Sequence, residues 1–309
     1  MRAWGSLPTI QEVHVEFGVS YAPTHYNASP VVVAREAERL GFESLFVPEH
    51  SHMPLATDFP LAPETPMIYK SMYDPFVALA AAAAVTENLK LGTSIALIPQ
   101  RDPIHTAKEV ATLDQISNGR VVLGIGAGWN EEEMEAHGTD PKTRFRLMRE
   151  KVEAIKTLWT NEVAEYHGRH VEVPPTWQWP KPVQDPHPPI LMGGAGPNVL
   201  NRVVNYCEGW LPAVHMNFTE DLRGRFTPVE EFPDEVAKLQ RMAEERGRPR
   251  PHVQCGSEIL TRIPLDQLEE IGVTRLMVGV GGGGLDAVDD DGVRPALEQA
   301  RERVDALTG

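Results

Sequence analysis

The stretch HTAKEVATLDQISNGRVVLGIGAGWNEEEMEAHGTDPKTR, His105 to Arg144, contains the unit from which the fold is read. Pro103 opens a helix with Ile104, Ala107, Ala111 and Ile116 on or near one stripe, and Asn118-Gly119 ends it. Val121–Gly126 (VVLGIG) is a short continuous apolar run, the pattern of a strand buried on both faces. A glycine-rich loop follows, then a long amphipathic helix over about 143–159 with Leu147, Val152, Ile155 and Trp159 on its apolar face. Helix, buried strand, loop and helix in that order build a parallel sheet covered by helices.

The same unit recurs on both sides. Strands are expected at 13–20, 44–47, 89–98, 189–194, 209–213, 253–257 and 276–280, which with 121–126 makes eight. Helices are expected at 30–40, 75–86, 197–206, 234–246, 265–271 and 295–307 between or after them. Residues 1–12 read as an irregular lead-in. Two segments break the rhythm. The loop 48–72 carries five prolines, and the stretch 161–188 holds three His, two Trp and six Pro and reads as an inserted hairpin and arm. The expectation is an α/β protein, a (β/α)8 TIM barrel with inserted loops and a hairpin arm, forming one domain over residues 1–309.

Charge and cysteine usage narrow the function classes. The chain has 309 residues, with 29 Lys and Arg against 44 Asp and Glu, a net charge of −15. That excess repels nucleic acid and anionic membranes at long range. Cys207 and Cys255 are the only cysteines and lack C-x-x-C spacing, which excludes a disulfide framework and a cysteine zinc site. The longest apolar stretch, Phe76 to Val85, is too short to span a bilayer, and the first residues lack a signal-peptide pattern. A reduced cytoplasmic location fits this composition, and a homodimer is the expected assembly.

In such a barrel the reactive groups sit at the C-terminal strand ends. Glu49-His50-Ser51-His52 follows the second strand, and a histidine there can exchange protons near neutral pH; it can equally be an exposed loop residue. His-x-His also suggests zinc, but later strands add only His215 as a further ligand, so no metal is expected. Gly193-Gly194-Ala195-Gly196 enters a helix after the fifth strand, as a phosphate cradle or a plain tight turn. Trp129, Trp177 and Trp179 can stack on a flat ring or pack in the core. The run Gly281–Gly284 reads as a loop after the last strand.

Taken together, the His105–Arg144 stretch, LGFESLFVPEH, LGTSIALIPQRDP, the YHGRHVEV arm with WPKPVQ, and PPILMGGAGP followed by CEGW resemble the bacterial luciferase-like superfamily. The resemblance is narrower to its actinobacterial oxidoreductases that use the deazaflavin coenzyme F420, and it spans about residues 14–215. It implies hydride transfer between F420 and a small organic substrate, with an FMN-dependent monooxygenase or a non-catalytic flavin-binding protein as alternatives. It implies a phosphate at Gly193, Gly194, Ala195 and Gly196. The ring would lie against a cis Ser94–Ile95 bond, with Gly126, Trp129 and Asn130 also in contact. It gives His50, with Glu49 before it, the place near the reacting centre. Deazaflavin sugar-phosphate dehydrogenases carry a glutamic acid where this chain has Trp129, which separates it from sugar-phosphate oxidation and leaves the proton donor open. Glu131 and Glu132 stand nearby, where a helix start also favours acids.

Overall fold

Residues 14–59, 62, 64–280 and 288–308 are described by the structure, a computed structural model. The lead-in 1–12 and the Gly281–Gly284 loop lie outside the described residues. Eight parallel strands close on themselves: β1 Glu16–Ser20, β2 Ser44–Val47, β3 Lys90–Thr93 continued at Ala96–Leu97, β4 Val121–Gly126, β5 Ile190–Gly193, β6 Gly209–Leu211, β7 His252–Gly256 and β8 Arg275–Gly279. Closure runs through Phe17 opposite Leu276 and Leu91 opposite Val121. Helices cross over between strands and cover the outside, so strands such as β2 and β4 are buried along their whole length. The (β/α)8 barrel is therefore the fold.

Inside the barrel, Phe46, Val122, Leu191, Leu211 and Met277 form a small apolar plug with Ile95 against it. Gly92 makes room for the Phe46 ring, because a Cβ there would lie 2.2 Å from Cε1. The main core lies outside the strands, under the helices, where Trp159 donates from Nε1 to the Ala107 carbonyl at 2.9 Å.

Most boundaries fall within two or three residues of expectation, and the departures have physical reasons. The helix Pro103–Ser117 turns Ala107, Val110, Ala111 and Leu113 inward and leaves Ile104 and Ile116 exposed. Small residues pack that face closely, and the two isoleucines lie off it. The last helix runs Asp290–Thr308, with Pro295 inside it rather than opening it; Asp290 and Asp291 in its first turn suit the positive end of the helix dipole. The loop 48–72 contains a short helix, Met67–Ser71, and a further helix, Glu131–Ala136, follows β4. The inserted arm contains an antiparallel hairpin, Ala164–His167 with Glu172–Thr176. Among the described residues no helix is long and apolar enough to cross a membrane.

The N-terminal mouth is closed by charge. Glu43 accepts from Arg275 Nε and Nη2 at 2.7 Å each and pairs with Lys90 Nζ at 2.5 Å. Burial alone would raise the Glu43 pKa, but the Arg275 hydrogen bonds and charge, then those of Lys90, bring it down to about 2. A depressed folded-state pKa stabilises the fold fully above the unfolded value of 4.5, and the contribution is lost as pH falls through about 2. It amounts to on the order of 3 kcal/mol. Urea unfolding of Glu43→Gln should therefore show a loss of roughly 2–3 kcal/mol near pH 7 that narrows by about half or more near pH 3. A loss independent of pH would contradict this role.

Candidate active site

The ends of the first four strands surround a cavity of about 240 Å³. Ser20 closes it from β1, Glu49 and His50 from the loop after β2, Ser94 and Ile95 from β3, and Trp129 from the loop after β4. Tyr69 and Met72 reach it from the 48–72 loop. This is the barrel end at which chemistry is expected.

His50 is buried against one partner that the sequence did not reveal. Its Nδ1 lies 2.8 Å from Oε2 of Glu133, whose side chain is fully buried. Glu133 also accepts through Oε1 from the Ser51 N–H at 2.9 Å. Burial pushes the Glu133 pKa up; the hydrogen bond and charge of His50, then the Ser51 amide and Gln100, more than reverse this and hold it below the usual carboxylate value. An ionised Glu133 is acceptor-only, so Nδ1 of His50 carries the proton of this contact. With Nδ1 engaged, Nε2 is the nitrogen left for a ligand in the cavity. Glu133 reaches this point because Glu131–Ala136 begins with three acids. Asn130 caps that helix by accepting from the Glu133 N–H at 3.1 Å and ties it to Thr57 Oγ1 at 2.9 Å.

Around the imidazole, Tyr69 and Trp129 present their rings at 5.4 and 5.6 Å between centroids, and Phe59 stands edge-on to both aromatics. Burial raises the Tyr69 pKa, so its phenol stays protonated at neutral pH. Trp129 thus stands at the cavity, whereas Trp177 and Trp179 are exposed and do not line it.

Glu49 lines the same cavity, but its carboxylate is already committed. Oε2 accepts from the Leu97 N–H and Oε1 from Arg101 Nε, each at 2.7 Å. Arg101 in turn bonds Asp74 and Glu109. Glu49 therefore anchors the strand beside the cavity rather than offering a free acid. Asn130 is likewise engaged with protein groups through both ends of its amide.

The Ser94–Ile95 peptide is cis, as expected. Ser94 and Ile95 both face the cavity, and the Ile95 side chain is wedged between two glycines. A Cβ on Gly126 would lie 2.0 Å from Ile95 Cδ1, and one on Gly193 would lie 2.6 Å from Cγ2. These glycines act on the cavity through Ile95. At the β5 end, the Gly194 N–H is used by the Leu211 carbonyl at 3.0 Å, and the Gly194 carbonyl accepts from Trp210 Nε1 at 2.9 Å. Gly194 has φ +106° with open space where a Cβ would be, and Gly196 has φ +101°. The turn is half-buried from Gly193 through Gly196, ahead of the helix Val199–Tyr206. Among the described residues no three His, Cys, Asp or Glu side chains converge as a metal cage.

Comparison with known proteins bears on the family and the fold. The chain is 40% identical over 203 residues to an uncharacterized protein of Mycobacterium tuberculosis, covering 64% of this chain and 72% of that one. It is 33% identical over 204 residues to the oxygenase component of a flavin-dependent trigonelline monooxygenase from Acinetobacter baylyi, covering 64% of this chain and 52% of the other. Its fold matches that of an F420-dependent secondary alcohol dehydrogenase, solved with an F420-acetone adduct, at a TM-score of 0.68 and 16% identity over 95% and 99% of the two chains. The luciferase-like monooxygenase family model matches residues 17–263, the barrel from its first strand to beyond its seventh, and the chain belongs to that family.

Proposed function

We propose that this protein is an F420-dependent oxidoreductase that transfers hydride between the deazaflavin and a small organic substrate bearing a hydroxyl or carbonyl group. The observation that carries this reading is the His50–Glu133 pair: an imidazole with Nδ1 held by a buried carboxylate and Nε2 left for the cavity. That is the equipment for moving a proton to or from an oxygen whose carbon gives or takes hydride.

The residues present suit a flavin-type ring. Ile95 offers an apolar edge from the β3 side and Trp129 and Tyr69 an aromatic wall, with the half-buried Gly194–Gly196 turn as the place for an anionic tail. The Gly194 amide is already bonded, so the turn would hold a phosphate through Ala195 and Gly196. When bound, the deazaflavin supplies the two-electron chemistry. The protein's share is the rest. His50 Nε2 takes the hydroxyl proton in oxidation or returns it in reduction, Glu133 fixes the tautomer, and Tyr69 donates a hydrogen bond to the substrate oxygen. Glu49 holds the Leu97 backbone at the cavity wall and pairs with Arg101.

The 33% identity to a flavin-dependent monooxygenase component favours a second reading, an FMN-dependent oxygenase. Incubation with oxidised F420 and a panel of secondary alcohols, followed by ring absorbance, tests the first reading against oxygen uptake with reduced FMN. Bleaching of F420 by one alcohol class supports it. Oxygen uptake with FMN and no F420 bleaching overturns it.

A further inference from the structure

The sequence cluster Glu49-His50-Ser51-His52 contains two members that the proposed chemistry leaves without a task, Ser51 and His52. In the structure they join His137, two residues beyond Glu135, into a connected path. Ser51 Oγ lies 3.3 Å from Glu133 Oε1, 2.6 Å from His137 Nε2 and 2.9 Å from His52 Nδ1. The two imidazoles meet edge to face at 5.4 Å between centroids, and both are exposed. Glu133 is completely buried and His50 nearly so, whereas Ser51 is exposed like the two imidazoles it bonds. Every link from the cavity to the surface is therefore a hydrogen-bonded group that can take up and pass on a proton.

We propose that Ser51 and the His52–His137 pair form a proton relay connecting His50 with solvent on the side of the imidazole away from the cavity. The proposal rests on His50 as the acid–base group of the preceding section. A cavity filled by ring and substrate has no water to discharge the imidazolium, and this path supplies the route. A proton taken at His50 Nε2 is balanced by loss of the Nδ1 proton to Glu133 Oε2. Rotation of the carboxyl turns its O–H toward Ser51, which accepts that proton while donating its own to His137 Nε2 or His52 Nδ1. The surface imidazole releases it to water. The ring is then neutral with its proton on Nε2. After product leaves, a proton returns to Nδ1 by the same path, and the imidazolium so formed releases its Nε2 proton to water entering the cavity. Protons balance at each step and no electrons move.

Ser51 also has a merely structural part to play, since its backbone N–H pins Glu133, so the test must separate the hydroxyl from the pin. Ser51→Val and Ser51→Thr both keep the amide, have nearly the same shape and differ in the hydroxyl. In full-length protein labelled with ¹⁵N-histidine, without cofactor or substrate, the exchange of the His50 Nδ1 proton with water is measured by saturation transfer. Ser51→Thr should exchange at close to the wild-type rate, while Ser51→Val should slow by about tenfold or more, as expected when a positioned proton carrier is lost, and the double variant His52→Phe/His137→Phe should slow by a smaller factor, because the Ser51 hydroxyl also meets water directly. Equal rates in folded Ser51→Val and Ser51→Thr overturn the relay. The measurement involves no cofactor, so its outcome is independent of whether F420 or FMN binds.

Discussion

Replacing His50 by Asn should lower turnover by about 10²–10⁴-fold, the range contributed by a positioned acid–base group. Asparagine keeps an N–H that can reach Glu133, so the buried carboxylate retains a donor, while the lone pair facing the cavity is lost. The loss should fall on kcat far more than on cofactor affinity, because proton transfer develops in the transition state and not in ground-state binding. Steady-state kinetics with a binding titration of the same variant check this. Equal turnover in mutant and wild type would reduce His50 to a wall residue.

The second large effect concerns Glu133, which has no contact with the cavity. Glu133→Gln keeps the side-chain shape but presents an amide that can rotate to face His50 with either a donor or an acceptor. The imidazole then loses its fixed tautomer, and kcat should fall on the order of 100-fold with KM little changed. The exchange also leaves one buried polar contact imperfect, with a cost of about 1–3 kcal/mol in unfolding free energy. Glu133→Asp should recover part of the rate, because it restores the carboxylate at a slightly longer reach. A variant that loses stability while keeping full kcat would show Glu133 to be structural only.

What the sequence could disclose followed from which signals are local. The eight strands were legible because a strand covered by helices on one side and filled from within must read as a continuous apolar run, as SLFV and VVLGIG do. His50 was legible because it follows such a run at the chemical end of a barrel. Glu133 was not, because three consecutive acids at a helix start are equally what the helix dipole favours, and only the third turns inward, directed by the Asn130 cap. Glu49 looked reactive for its position, yet its partner Arg101 lies 52 residues away and gave no local sign. The glycines were legible as close approaches, but the approaching group at Gly126 and Gly193 is this chain's own Ile95. Tyr69 went unremarked because a proline-rich loop offers no periodicity from which to infer which side chain points inward.

The choice between a deazaflavin and a flavin is the centre of the account, and the same preparation decides it. Apo-protein titrated in parallel with F420 and FMN, followed by ring fluorescence, should show saturable binding of F420 with one ring per chain and weak or no binding of FMN. His50→Asn should bind F420 as wild type does, while turning over poorly. Tight binding of FMN with no response to F420 would contradict the account.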